Sequence, residues 1–219
     1  MKIKTFQVSY FVIKNQCYLI YKNGMGILID PAWDYELIND FMVSQQIVLK
    51  GVLLTHAHID HTNLAERFAI AHDVPVFMSG QEIDYYGFDC GNLRRINHLQ
   101  EEVIGDFEII PIVTPGHTFG SCCYLIDRHL FSGDTIFIEG VGICDGKGAD
   151  ASKMYDSVQL LKHFLPEHTL FWPGHSYGQT PGKDLRYLLI NNIYFQFDNR
   201  AHFVNFRMRK GQSHLFGFT

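Results

Sequence analysis

The chain has 219 residues, 47% of them hydrophobic, which suffices for a large buried core and fits one domain over 1–219 better than a compact pair. No stretch approaches the roughly 18 uninterrupted apolar residues of a membrane span, and the start, MKIKTFQVSYFVIKNQ, alternates instead of forming a signal-peptide core. The expectation is a cytoplasmic protein with no membrane partner, and the formal charge of −5 argues against a nucleic-acid partner.

In chain order, CYLIY, KNGMG and ILID read as two strands joined around an Asn-Gly turn, the second ending at Asp30 and Pro31. A helix is predicted around Tyr35 to Met42, then a short apolar strand, GVLLT, that delivers His56. In HTNLAERFAIAH, Leu64 and Phe68 stand four apart, as on one helix face, before the strand VPVFMS. FEIIPIVT, CCYLI and HLFS follow as strands of a sandwich, a helix is predicted near Lys153 to Phe164, and TLFW closes the strand series. The last 30 residues alternate aromatic and polar positions without a clear period, and no element is assigned to them. Cys17, Cys90, Cys122, Cys123 and Cys144 contain no CxxC pair and are read as buried thiols.

The stretch LLTHAHIDHTN, Leu53 to Asn63, crowds His56, His58, Asp60 and His61 behind an apolar run. Imidazole and carboxylate suit Zn²⁺ and similar first-row metals, so a metal site is the first hypothesis. Further along, ILID, TPGH, LFSGD and LFWPGH end apolar runs on Asp30, His117, Asp134 and His175. Taken singly, His117 could be a turn histidine and Asp134 a cap. If the strand ends share one edge of a sandwich, all these side chains meet, because strand ends on a rigid scaffold are where functional groups are presented.

The combination THAHIDH, TPGHTFGS, SGDTIF and PGHSYG resembles the metallo-β-lactamase superfamily, in its glyoxalase II-like branch, from about Asp30 to Gly178. The resemblance implies an α/β fold, the αββα sandwich, and a site with two Zn²⁺ per chain. It places one ion on His56, His58 and His117, a second on Asp60, His61 and His175, and Asp134 between them, with Asp60 and Asp134 as the catalytic carboxylates and Asp30 supporting the ligands from behind. Two such ions activate water and polarise a carbonyl, so no serine or cysteine nucleophile is required. A thiolate leaves without the protonation that an amine or alkoxide usually needs, which favours a thioester substrate.

Two features depart from glyoxalase II itself. Ile143 stands where that enzyme has a basic residue, and about 44 residues follow His175, too few for a long glutathione-binding extension. Through IDPAW, FMSGQEIDYYGF, GDTIFIEGVGICDGKGAD, NIYFQF and FRMR, the chain is similar to the small zinc hydrolases of bacterial trans-acyltransferase polyketide biosynthesis. That resemblance implies an acyl group on an acyl carrier protein or coenzyme A. From Ser176 onward six basic residues (Lys183, Arg186, Arg200, Arg207, Arg209, Lys210) stand against Asp184 and Asp198, giving a +4 tail on a −9 remainder. Such a tail could face an acidic carrier or a phosphate, or be a solvated helix face. Glyoxalase II, a mononuclear-iron persulfide dioxygenase, a nuclease and a non-catalytic metal-dependent binding protein are the rival readings.

Overall fold

The computed structural model describes residues 1–210. Twelve strands form two six-stranded sheets among these residues. The first sheet runs in the order β1 (Lys2–Tyr10), β2 (Ile13–Lys22), β3 (Met25–Ile29), β4 (Val48–Leu53), β5 (Val76–Ser79) and β6 (Leu93–Ile96). The second comprises β7 (Glu102–Ile104), β8 (Phe107–Val113), β9 (Cys122–Ile126), β10 (His129–Gly133), β11 (Leu170–Pro173) and β12 (Lys183–Asp184), again neighbours in chain order.

Period-two burial drives the two sheets together. In β2, Tyr18 and Ile20 point into the space between the sheets while Cys17 and Leu19 point to the opposite face. In β9, Cys122, Tyr124 and Ile126 enter the same inter-sheet core, and Cys123 joins the other side. Both faces of each sheet are therefore apolar, and each needs a helical cover. Helices α1 (Tyr35–Ser44) and α3 (Ala65–His72), with the single turn α2 (Ile59–Thr62) between them, close the first sheet through Ile38, Met42, Phe68 and Ala69. A short α4 (Gly80–Tyr86) follows β5. The second sheet is covered by α5 (Ala151–Phe164), α6 (Leu185–Asn191) and α7 (Arg200–Arg207) through Met154, Leu161, Leu188 and Phe203. The result is the expected αββα sandwich.

The Asn-Gly turn is present: Lys22 pairs with Met25 across Asn23 and Gly24, whose φ values of 51° and 75° match a type I′ hairpin. The predicted helices at Tyr35 and Lys153 extend to Ser44 and back to Ala151, capped by Asp34 and Asp150 side chains. The N-terminal alternation is strand β1, fully paired with β2.

Three readings need correction. Cys90 is only partly buried, unlike the other four cysteines. The region assigned no element holds a 3₁₀ turn (Ile193–Gln196) and α7, whose start is capped by Asn199; residues 211–219 of it lie outside the described residues. The tail is also not a uniformly exposed basic surface. Arg207 is buried, at 4% exposure, with Nε donating to the Gly142 carbonyl at 2.9 Å. Arg200 forms a fork on Asp156 of α5.

Candidate metal centre

The five strand ends meet at one edge of the sandwich. His56, His58, Asp60 and His61 lie on the loop and turn after β4, His117 on the loop after β8, Asp134 directly after β10 and His175 two residues past β11. All seven predicted side chains converge there. Three overlapping groups bring their ligand-capable atoms within 4.8 Å of one another: His56, His58 and His117; His56, His61 and Asp134; and Asp60, His61 and His175.

The first group consists of three imidazoles. His58 Nδ1 is 3.0 Å from both His56 Nε2 and His117 Nε2. Burial pushes His56 and His117 below the ordinary histidine range and His58 down to about 4, so all three present as neutral rings. The third group, with Asp134 beside it, is rich in carboxylate. His175 Nε2 lies 3.5 Å from Asp60 Oδ2 and 3.4 Å from Asp134 Oδ2. Burial opposes a charged His175, yet Asp134 and Asp60 overcome it and raise the ring to about 11. Asp134 joins the halves, since its Oδ2 is also 3.6 Å from His117 Nε2.

Behind these atoms, acceptors fix the ring orientations. The Ile143 carbonyl takes the Nδ1 proton of His117 at 2.8 Å and the Lys14 carbonyl that of His175 at 2.6 Å. A carbonyl can only accept, so in the neutral tautomer the inward Nε2 keeps a free lone pair. Asp30 behaves as predicted from behind the ligands: its Oδ2 takes His61 Nδ1 at 2.9 Å and the Thr55 hydroxyl at 2.6 Å, while Oδ1 accepts from Thr55 N–H at 2.8 Å.

The arrangement fits divalent cations. His61 Nε2 and Asp134 Oδ1 are buried without a hydrogen-bond partner although they face each other at 3.4 Å. Two carboxylates and five imidazole rings face one another, a donor set suited to zinc and its neighbours. Gly174 leaves room for it, because a Cβ there would fall 2.5 Å from His61 Cε1 and 2.6 Å from Asp134 Oδ1.

Several supporting residues were not visible in the sequence. Asn15 donates to the Asp60 backbone carbonyl at 2.9 Å and its Oδ2 at 3.1 Å, and is itself held by Trp33 Nε1 at 2.9 Å. The Lys14 and Ile143 contacts use backbone atoms, which carry no side-chain signal. Glu82, in FMSGQEIDYYGF, touches two of the ligand loops, and no ligand-motif spacing points to its carboxylate.

The family model of the metallo-beta-lactamase superfamily matches residues 12–175. The chain belongs to that superfamily. It is 44% identical over 219 residues to the Bacillus velezensis protein named "Probable polyketide biosynthesis zinc-dependent hydrolase BaeB", covering 99% of this chain and 96% of that one. Identity to the Bacillus subtilis protein named "Probable polyketide biosynthesis zinc-dependent hydrolase PksB" is 40%, covering 99% and 97%. A hydroxyacylglutathione hydrolase of Shewanella loihica is 36% identical over 177 residues, which take in 75% of this chain and 63% of that enzyme. Among solved structures, ETHE1 from Myxococcus xanthus superposes with a TM-score of 0.85 at 26% identity, covering 96% of this chain and 92% of that one. No helix of the described residues is long and apolar enough to cross a membrane.

Proposed function

We propose that this member of the superfamily is a zinc-dependent hydrolase of polyketide biosynthesis that cleaves an acyl thioester, the acyl group being carried on an acyl carrier protein or coenzyme A. The observation that carries the reading is the convergence of six ligand-type side chains around the seventh, Asp134, whose Oδ2 is within 3.6 Å of a ring nitrogen in each half. Near full-length similarity to the two Bacillus proteins supports the metal and the pathway.

In this reading His56, His58 and His117 would hold one zinc ion, Asp60, His61 and His175 a second, and Asp134 would serve both. When bound, such ions supply Lewis acidity toward a carbonyl and bring the pKa of water toward neutrality. The chain's own residues do the positioning. Lys14 and Ile143 carbonyls keep the Nδ1 protons outward, Asp30 fixes His61, and Asn15 fixes Asp60. Cysteine is not the nucleophile in this reading: Cys17, Cys122, Cys123 and Cys144 are buried, and burial pushes the Cys90, Cys123 and Cys144 thiols up to about 11. Phe137 and Tyr177, whose ring centroids are each 6.0 Å from that of His175, line a cavity of about 180 Å³ with Val141, Ile193 and Tyr194. Glu139, Arg207 and Arg209 also line it, and these mixed aromatic and charged walls support an acyl or pantetheine substituent beside the centre.

The hydroxyacylglutathione hydrolase similarity favours a second reading, glutathione thioester hydrolysis. Against it stands Ile143, an apolar side chain 45% exposed where glyoxalase II has a cation. Released thiol, measured over a panel of acyl-carrier, acyl-CoA and acylglutathione thioesters, separates the two. Pantetheine-linked substrates are expected to react faster, and S-lactoylglutathione reacting at least as efficiently would overturn the first reading.

A further inference from the structure

Glu82 stands in the first turn of α4, an element that supplies none of the seven side chains, and it is 0% exposed. Its Oε1 accepts from Ala57 N–H at 2.8 Å. Its Oε2 accepts from Gly120 N–H at 2.7 Å and from the Thr118 hydroxyl at 3.0 Å. Ala57 lies between His56 and His58, and Thr118 follows His117. One carboxylate therefore ties the His117 loop to the segment that carries His56 and His58, while its hydrogen bonds reach neither the α2 turn that carries Asp60 and His61 nor the His175 loop.

The surrounding packing makes this clamp specific. The Ser79 hydroxyl caps α4 by accepting from Glu82 N–H at 3.1 Å and donates to the Gly120 carbonyl. A Cβ on Gly120 would fall 2.3 Å from Glu82 N, so the His117 loop lies directly on the helix start. Burial raises the Glu82 carboxyl above the ordinary glutamate range, and the three hydrogen bonds pull it back. A carboxylate taken fully out of water is costly unless its lone pairs are used. Here they are used on both loops at once.

We propose that Glu82 is a positioning residue that sets the separation of His58 from His117 and thereby the metal affinity of the His56, His58 and His117 group alone. The inference rests on the two-ion reading given above. An outer partner of a metal ligand commonly contributes 10–100-fold to affinity, and Glu82 acts on two ligand loops through their backbones. Glutamine at this position keeps one acceptor but turns an NH₂ toward Ala57 N–H or Gly120 N–H, so it retains only part of the clamp. Alanine retains none.

The test is zinc titration of the full-length wild type, Glu82→Gln, Glu82→Ala and Thr118→Val. Competition with a chromophoric chelator gives each affinity, and histidine side-chain NMR shows which rings respond at each equivalent. In Glu82→Ala, the ion sensed by His58 and His117 should bind at least about 10-fold more weakly, while the ion sensed by His61 and His175 is unchanged. Glu82→Gln should be intermediate, and Thr118→Val, which removes one donor and leaves the carboxylate, should shift the same ion by a few-fold even if the Ala variant does not fold. Equal weakening of both ions, or of neither, in the foldable variants would overturn the proposal while leaving the two-ion reading intact. Wild type that binds a single ion would overturn both.

Discussion

The two halves of the centre solve the same problem by different physics. The half made by His56, His58 and His117 is neutral, its rings held unprotonated by burial, and its quality depends on how well two loops are held at 3.0 Å contact. The half made by Asp60, His61 and His175, with Asp134 beside it, is charged, and its carboxylates attract a cation over a longer range. Geometry governs the first and electrostatics the second. Small displacements should therefore weaken the imidazole half, whereas the carboxylate half should respond most to a change of charge.

Asp134 is where the distinction should disappear, because its Oδ2 faces both halves. Asp134→Ala is expected to lower metal content at both groups and reduce turnover by more than about 100-fold, beyond the upper range for losing an outer partner. Elemental analysis with steady-state kinetics checks it; retained metal with near-normal turnover would remove Asp134 from the shared role. Next in size is chelation. At zinc 100-fold above its dissociation constant each ion should contribute about 2.7 kcal/mol, so removing both with a chelator should lower Tm by about 10–20 °C for a chain of this size. Calorimetry with and without chelator reads it, and Asp134→Ala should abolish most of the difference.

Asp30→Ala sharpens the comparison from the charged side. It removes the acceptor for His61 Nδ1 and two Thr55 contacts, so the carboxylate half should lose about 10–100-fold in zinc affinity. The imidazole half is also linked to Thr55, whose hydroxyl is 3.0 Å from His56 Nδ1, and should change less. Chelator competition on the variant gives both values, and an equal loss would mean that Asp30 supports the centre as a whole.

How much of this the sequence reveals depends on the kind of atom involved. The seven converging side chains are legible because His56, His117, Asp134 and His175 each close an apolar run, with His58, Asp60 and His61 crowded just behind His56, and a strand's end is set by its hydrophobic pattern. Asp30 is legible for the same reason. The Lys14 and Ile143 carbonyls are not, since any residue could supply them. Asn15 and Glu82 act across 45 and 25 or more positions of chain, and such pairings exist only once the sheets have folded. The basic tail misleads in another way: counting charges cannot tell which face of α7 a residue occupies, and Phe203 and Arg207, four apart, share the buried face. The aromatic-polar alternation of that region hides a helix whose apolar side packs on α5, where Phe203 meets Tyr155 edge-on at 5.5 Å.

The smallest expected effect follows from that buried arginine and separates a docking role from a supporting one. Arg207 Nε donates to the Gly142 carbonyl, and the next carbonyl, that of Ile143, orients His117. Arg207 thus reaches the imidazole half through one peptide unit, more remotely than Glu82 does. Arg207→Met keeps the apolar stem and removes the donor, so zinc affinity of the imidazole half should fall by only a few-fold, under the 10–100-fold of a direct partner. If Arg207 acts through His117, kcat should drop equally for a carrier-bound thioester and a small pantetheine thioester, and salt should not alter the ratio. A charge that steers an acidic carrier behaves otherwise: its loss lowers kcat/KM only for the carrier-bound substrate, and the difference shrinks as salt screens it over about 8 Å. That second pattern would restore the docking role that the linear charge count suggests, and would do so through a residue whose 4% exposure argues against it.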